Sequence, residues 1–195
     1  MKFEDLKNRH SGKIISIVGS GKSADLLTND DTPKILINHQ CLRHDLTGDL
    51  YGVWTDKQEE HINNWWCKVD GSIKFVLPSW LTDKRFNEHL DITEMELTSD
   101  LNPDRDAISK SCQLHNFTGT ASTAVHLAYY LGAGHVNLYG IDGTTRSDGD
   151  RCGAVVSLYK QPKASNPEAY KNIKKYIIKE LDFLKLSFTD FFEKL

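Results

Sequence analysis

The chain's strongest constraint is an unbroken apolar run, Ile14-Ile15-Ser16-Ile17-Val18, that stops abruptly at Gly19. A segment with a single serine and no polar stripe cannot rest on a sheet with one wet face. It reads as a strand covered on both sides, the pattern of a parallel sheet. Lys34-Ile35-Leu36-Ile37-Asn38 repeats it after the turn signal Asp31-Thr32-Pro33, and Leu50 to Trp54 repeats it again, ending near Asp56. Ser72 to Leu77 is a fourth strand, stopped by Pro78, and His135 to Gly140 is another. Met95 to Thr98 reads as a weak edge strand.

Helical segments alternate with these strands. Ser23 to Leu27 begins a short helix, and Gln58 to Trp66 is helical in pattern. Thr118 to Leu131 is the best helix: Thr118 suits the cap, Ala121, Ala124, Val125, Ala128 and Leu131 recur on one face, and Gly132 and Gly134 follow. A last helix opens at Asn166-Pro167, with Tyr170, Ile173, Ile177, Leu181 and Leu184 as its stripe. The expected fold is therefore α/β: a single Rossmann-like domain over residues 1–195, with a mostly parallel sheet, helices on both faces and a flexible lid near 144–165.

Composition narrows the function classes. With 195 residues, 39% apolar and 26% charged, the chain suits one globular core and not a disordered segment. A net charge of -3 gives no encouragement to a large nucleic-acid-binding face. The four cysteines form no Cys-x-x-Cys pair, so free thiols are expected rather than a zinc knuckle or a redox dithiol. No signal-peptide pattern opens the chain and no stretch has the length of a membrane span, so a cytoplasmic location is expected. Homo-oligomerisation stays open.

In an open parallel sheet, ligands bind beyond the carboxyl ends of the strands. Gly19, Asn38, Asp56 and Asp142 all fall at such ends. The Gly19-Ser20-Gly21-Lys22-Ser23 turn and the Thr118-Gly119-Thr120 helix start both offer backbone N–H groups to an anion. A Walker A loop is excluded, because the glycine it needs five positions before Gly21 is Ser16, inside the strand. A dinucleotide fingerprint is met only in part: Ala24 takes the third position, and Asn38 stands where an acidic residue would follow the second strand. A ligand-free tight turn reads equally well from that segment alone.

His39 and His115 are the histidines best placed for proton transfer, and Asp142 can accept a hydrogen bond from a hydroxyl. Arg146 and Arg151 lie where a lid would carry charge onto a phosphate. Asp148-Gly149-Asp150 is ordinary turn chemistry, and it also has the Asp-x-Asp form that holds Mg2+ or Mn2+ on a diphosphate.

These pieces resemble a known group. Val18-Gly19-Ser20-Gly21-Lys22-Ser23, Ile37-Asn38-His39-Gln40 and Phe117-Thr118-Gly119, through Leu131-Gly132 to Leu138-Tyr139-Gly140-Ile141-Asp142, are similar to the small bacterial sialyltransferases that use a cytidine-monophosphate sugar. They also resemble the 6-hydroxymethylpterin pyrophosphokinase-like proteins. The resemblance implies that Gly19, Ser20, Gly21, Ser23, Asn38, Asp56, Thr118, Gly119 and Thr120 line a nucleotide pocket, with Asp142 beside the donor. The chain departs from that group in three places. Lys22 stands where the transferases carry proline, the Lys160 to Ser165 stretch lacks their histidine base, and Arg146 and Arg151 replace their loop tyrosines.

The function so implied is transfer of a glycosyl group from a nucleotide-activated sugar to an acceptor hydroxyl on a glycan, a small molecule or a modified nucleic-acid base. Asp142 or His39 would be the base. The alternatives are a diphosphate transferase acting on a pterin-like molecule with Mg2+, and a non-catalytic nucleotide-binding module.

Overall fold

The computed structural model describes residues 1–55, 68–81, 90–98, 110–115 and 120–141. Seven strands form one sheet: β1 (Ile14–Val18), β2 (Lys34–Ile37), β3 (Leu50–Val53), β4 (Lys74–Pro78), β5 (Asp91–Thr98), β6 (Gln113–His115) and β7 (His135–Tyr139). Their order is β6-β5-β4-β3-β2-β1-β7, and all six pairings are parallel. The α/β sheet expected from the apolar runs is present. Among the described residues, no helix is long and apolar enough to cross a membrane.

Side chains alternate across the sheet with the period of two that strands impose. Ile15, Ile17, Ile35, Ile37, Tyr51 and Val53 point to one face, where helix α1 (Thr120–Tyr130) packs through Ala121, Ala124, Leu127 and Ala128. Val18, Leu36, Leu50, Phe75 and Leu77 point to the other, onto Ala24, Cys41, Trp54 and Leu81. Each fully buried Ile or Leu contributes about 2 kcal/mol of transfer free energy. The alanines of α1 carry no long side chain, so the helix lies close on the strands.

Successive strands from β1 to β6 step in one direction. The links from β1 to β2 and from β2 to β3 are single 3-10 turns, Lys22–Leu26 and Asn38–Leu42, whose Ala24 and Cys41 sit on the second face. The chain then steps back across the whole sheet to β7, with α1 on the first face. Opposite steps on opposite faces keep a single crossover hand. The reversal falls at β1, which lies between β2 and β7.

One expectation needs correction. The segment read as a weak edge strand over 95–98 is the eight-residue β5, and it is interior, paired with both β4 and β6. Thr93 and Met95 are buried while Glu94 and Glu96 are exposed, so its charged residues belong to a half-wet alternation. The edge is β6. The helices expected at 58–66 and from Asn166, and the lid at 144–165, lie outside the described residues.

The amino-terminal residues close the far end of α1. The N–H groups of Asn8, His10 and Gly12 donate to the carbonyls of Tyr130, Leu131 and Gly132 at 2.9, 2.8 and 2.9 Å. These satisfy acceptors that a helix end leaves without partners. Phe3 stacks on Tyr130 with ring centroids 4.8 Å apart. His10 is buried under β3, where its Nε2 meets the Tyr51 hydroxyl at 2.8 Å. Burial pushes Tyr51 up to about 12, so its hydroxyl keeps its proton. His10 Nδ1 is buried and has no partner among the described residues.

Lys34, at the start of β2, is buried completely. Its ammonium donates to the carbonyls of Asp30, Thr32 and Thr47 and to the Asp30 carboxylate, which together replace its lost water. Replacing it by methionine leaves that oxygen cage unfilled. Lys34→Met should lower stability by about 3 kcal/mol, read as a shift of the urea midpoint.

Burial also holds His10 below its ordinary range, against the pull of Asp49. A depressed histidine supports the fold above its ordinary value of about 6.5, and that support is lost as pH falls through the folded value. Urea midpoints should therefore drop between about pH 7 and pH 5, and less so in His10→Asn. The carboxylates Asp30, Asp45, Asp49 and Asp70 are all held below their ordinary value, so their losses come at lower pH.

Candidate functional site

Strand register brings the carboxyl ends together. Val18 pairs with Leu36 on one side and Tyr139 on the other, and Ile37 pairs with Val53. Neighbouring strands lie about 4.8 Å apart, so Gly19, Asn38, Thr55 and Gly140 share one rim. The rim is centred on the reversal of strand order at β1, where such sheets open a crevice.

The turns after β1 and β7 are joined backbone to backbone. Gly19 N–H donates to Tyr139 O at 2.7 Å, and Gly21 N–H donates to Gly140 O at 2.8 Å. A Cβ on Gly19 would lie 2.6 Å from Gly140 O, and one on Gly140 would lie 2.1 Å from Gly19 O. Gly140 also has φ +67°, the left-handed region that favours glycine. These amides were expected to face an anion. Instead they hold β7 against β1, so Gly19 and Gly21 shape the rim without offering it donors. Ser20, between them in sequence, is only 8% exposed.

One strand over, side chains take up the polar role. Asn38 follows β2 with φ +49°, a left-handed conformation that asparagine tolerates better than most residues. Thr120, the first residue of α1, donates from Oγ1 to Asn38 Oδ1 at 3.2 Å. Thr55, two residues past β3, meets Thr120 Oγ1 at 2.6 Å. Three separate elements thus converge through hydroxyl and amide groups. Asn38 and Thr55 are half-buried, and Thr120 lies beneath them at 7% exposure. His39 is half-buried beside Asn38, its ring edge-on to the buried Trp54 at 5.9 Å.

Of the residues singled out in the sequence, Gly19, Ser20, Gly21, Asn38, His39 and Thr120 occupy this rim, and Ser23 lies in the turn that follows Gly21. Asp56, Thr118, Gly119, Asp142, Arg146, Asp148, Asp150 and Arg151 lie outside the described residues. His115 ends β6, four strands from β2. Thr55 was overlooked. Its signal was a small hydroxyl residue where the apolar run of β3 stops, next to the Asp56 that drew attention instead.

Comparison with family models, with curated proteins and with solved structures finds no match to this chain.

The glycine contact can be weighed directly. Gly12 is also left-handed, with φ +74°, yet a Cβ there meets nothing within 4 Å. Gly12→Ala should cost about 1 kcal/mol, from backbone strain alone. Gly140→Ala adds overlap with Gly19 and should cost roughly 3 kcal/mol or more. Paired urea titrations of the two variants measure the difference.

Proposed function

We propose that this protein is a glycosyltransferase-like enzyme that binds a nucleotide-activated sugar at the carboxyl rim of its sheet. The observation that carries the proposal is the meeting of Asn38 and Thr120, which lie 82 residues apart in sequence, at the crevice where strand order reverses. A polar cluster at that place, half-open to solvent, suits a polar ligand and does nothing for a hydrophobic core.

In the reaction we assign, the acceptor hydroxyl oxygen bonds to the anomeric carbon. The bond from that carbon to the donor phosphate breaks, and the nucleotide leaves with the electron pair. The acceptor proton passes to His39, which lies beside Asn38 at the end of β2. A diphosphate transferase is the weaker reading. It needs a cradle of free amides for a polyphosphate, and those of Gly19 and Gly21 are bonded to β7.

Calorimetric titration with cytidine and uridine nucleotides and their sugar conjugates tests the reading. Binding is expected with Kd between about 1 μM and 1 mM, the usual enzyme range. Thr120→Val should weaken it about tenfold. His39→Ala should abolish transfer while binding persists. Failure of every nucleotide to bind the native protein overturns the proposal.

A further inference from the structure

We infer that Asn38, Thr55 and Thr120 form a ribose subsite, built to grip the paired hydroxyls of a ribonucleotide and not its phosphate. The inference rests on the nucleotide reading above and adds the part of the ligand that meets these residues.

Proton bookkeeping leads to it. Thr120 has one hydroxyl proton, and it goes to Asn38 Oδ1 at 3.2 Å. The 2.6 Å contact between Thr120 and Thr55 then needs the Thr55 proton. Thr55 Oγ1 has therefore given up its only donor and offers lone pairs alone. The Asn38 oxygen is engaged by Thr120, and a planar amide turns its Nδ2 hydrogens the other way. A ligand entering the rim meets a donor on Asn38 and an acceptor on Thr55.

That pairing discriminates. A phosphate brings acceptors only, and one of its oxygens would face the lone pairs of Thr55. A vicinal diol brings groups that each accept and donate: one hydroxyl accepts from Asn38 Nδ2 while its neighbour donates to Thr55 Oγ1. Removing the 2′-hydroxyl leaves one of the two protein groups without its partner when the cleft is filled, and the loss of a buried partner weakens binding steeply. Thr55 is a positioning residue as well as a contact, because its proton commits Thr120 to Asn38.

Calorimetry with cytidine 5′-monophosphate and its 2′-deoxy analogue on the full chain tests the subsite. The native protein should favour the ribonucleotide by about tenfold. Thr55→Val should weaken the ribonucleotide by about that factor and barely change the deoxy form, so the preference collapses. Thr55→Ser, which keeps the hydroxyl, should retain it. Asn38→Asp, which puts acceptors where the donor was, should erase it. Equal affinity of the native protein for the two sugars, a measurement that needs no variant, overturns the subsite while the enzyme reading stands. So does an equal loss for both sugars in Thr55→Val, which would mark a purely structural role, or a preference that follows the base alone. If neither nucleotide binds at all, this inference falls, and the enzyme reading falls with it only when the uridine nucleotides and the sugar conjugates fail to bind as well.

Discussion

The contact between Gly19 and Gly140 is the joint on which the rest of the molecule turns. Both residues lack a side chain, the carbonyl oxygen of each lies where a Cβ on the other would sit, and Gly140 takes a conformation that favours glycine. Because the turns after β1 and β7 can approach this closely, β7 seats fully on β1, and five residue pairs run in register. That seating puts the reversal of strand order at β1. The reversal leaves room at the strand ends, and α1 enters from the opposite face to place Thr120 against Asn38.

The two ends of the sheet are treated differently. At the amino end, polar groups are closed upon one another: the Lys34 ammonium is ringed by oxygens, Asp49 is held by Lys74, and His10 is covered under Tyr51. A buried polar group costs stability unless it is satisfied, as the Lys34 ammonium is and, among the described residues, His10 Nδ1 is not. At the carboxyl end, Asn38 and Thr55 keep hydrogen-bonding capacity toward solvent. The asymmetry separates the end that maintains the fold from the end that can act on a ligand.

Much of the sheet was legible in the sequence because its central strands are covered on both faces. The runs at Ile14, Lys34 and Leu50 had no polar stripe to confuse their reading. β5 was harder, since Glu94 and Glu96 alternate with Thr93 and Met95 and the charges drew the eye from the buried half. β6 is three residues long and offers no pattern at all. Within the site, Asn38 and Thr120 could be found from their places at element ends. The use of the Gly19 and Gly21 amides could not, because it depends on which strand lies next to β1, and local sequence does not encode that neighbour. Thr55 was hidden for a related reason: a hydroxyl gains its meaning only from the partner that folding brings to it.

The place of β1 also bears on how the chain assembles as it leaves the ribosome. One of its two neighbours, β2, follows after the fifteen residues 19–33, but the other is the last of the described strands. Until β7 emerges, one side of a very apolar strand has its backbone hydrogen-bonding groups open to any passing strand. Parallel pairing across so long a loop is intrinsically slow. A nascent or truncated chain that ends before His135 therefore carries an adhesive edge, and aggregation should be the dominant fate of such fragments.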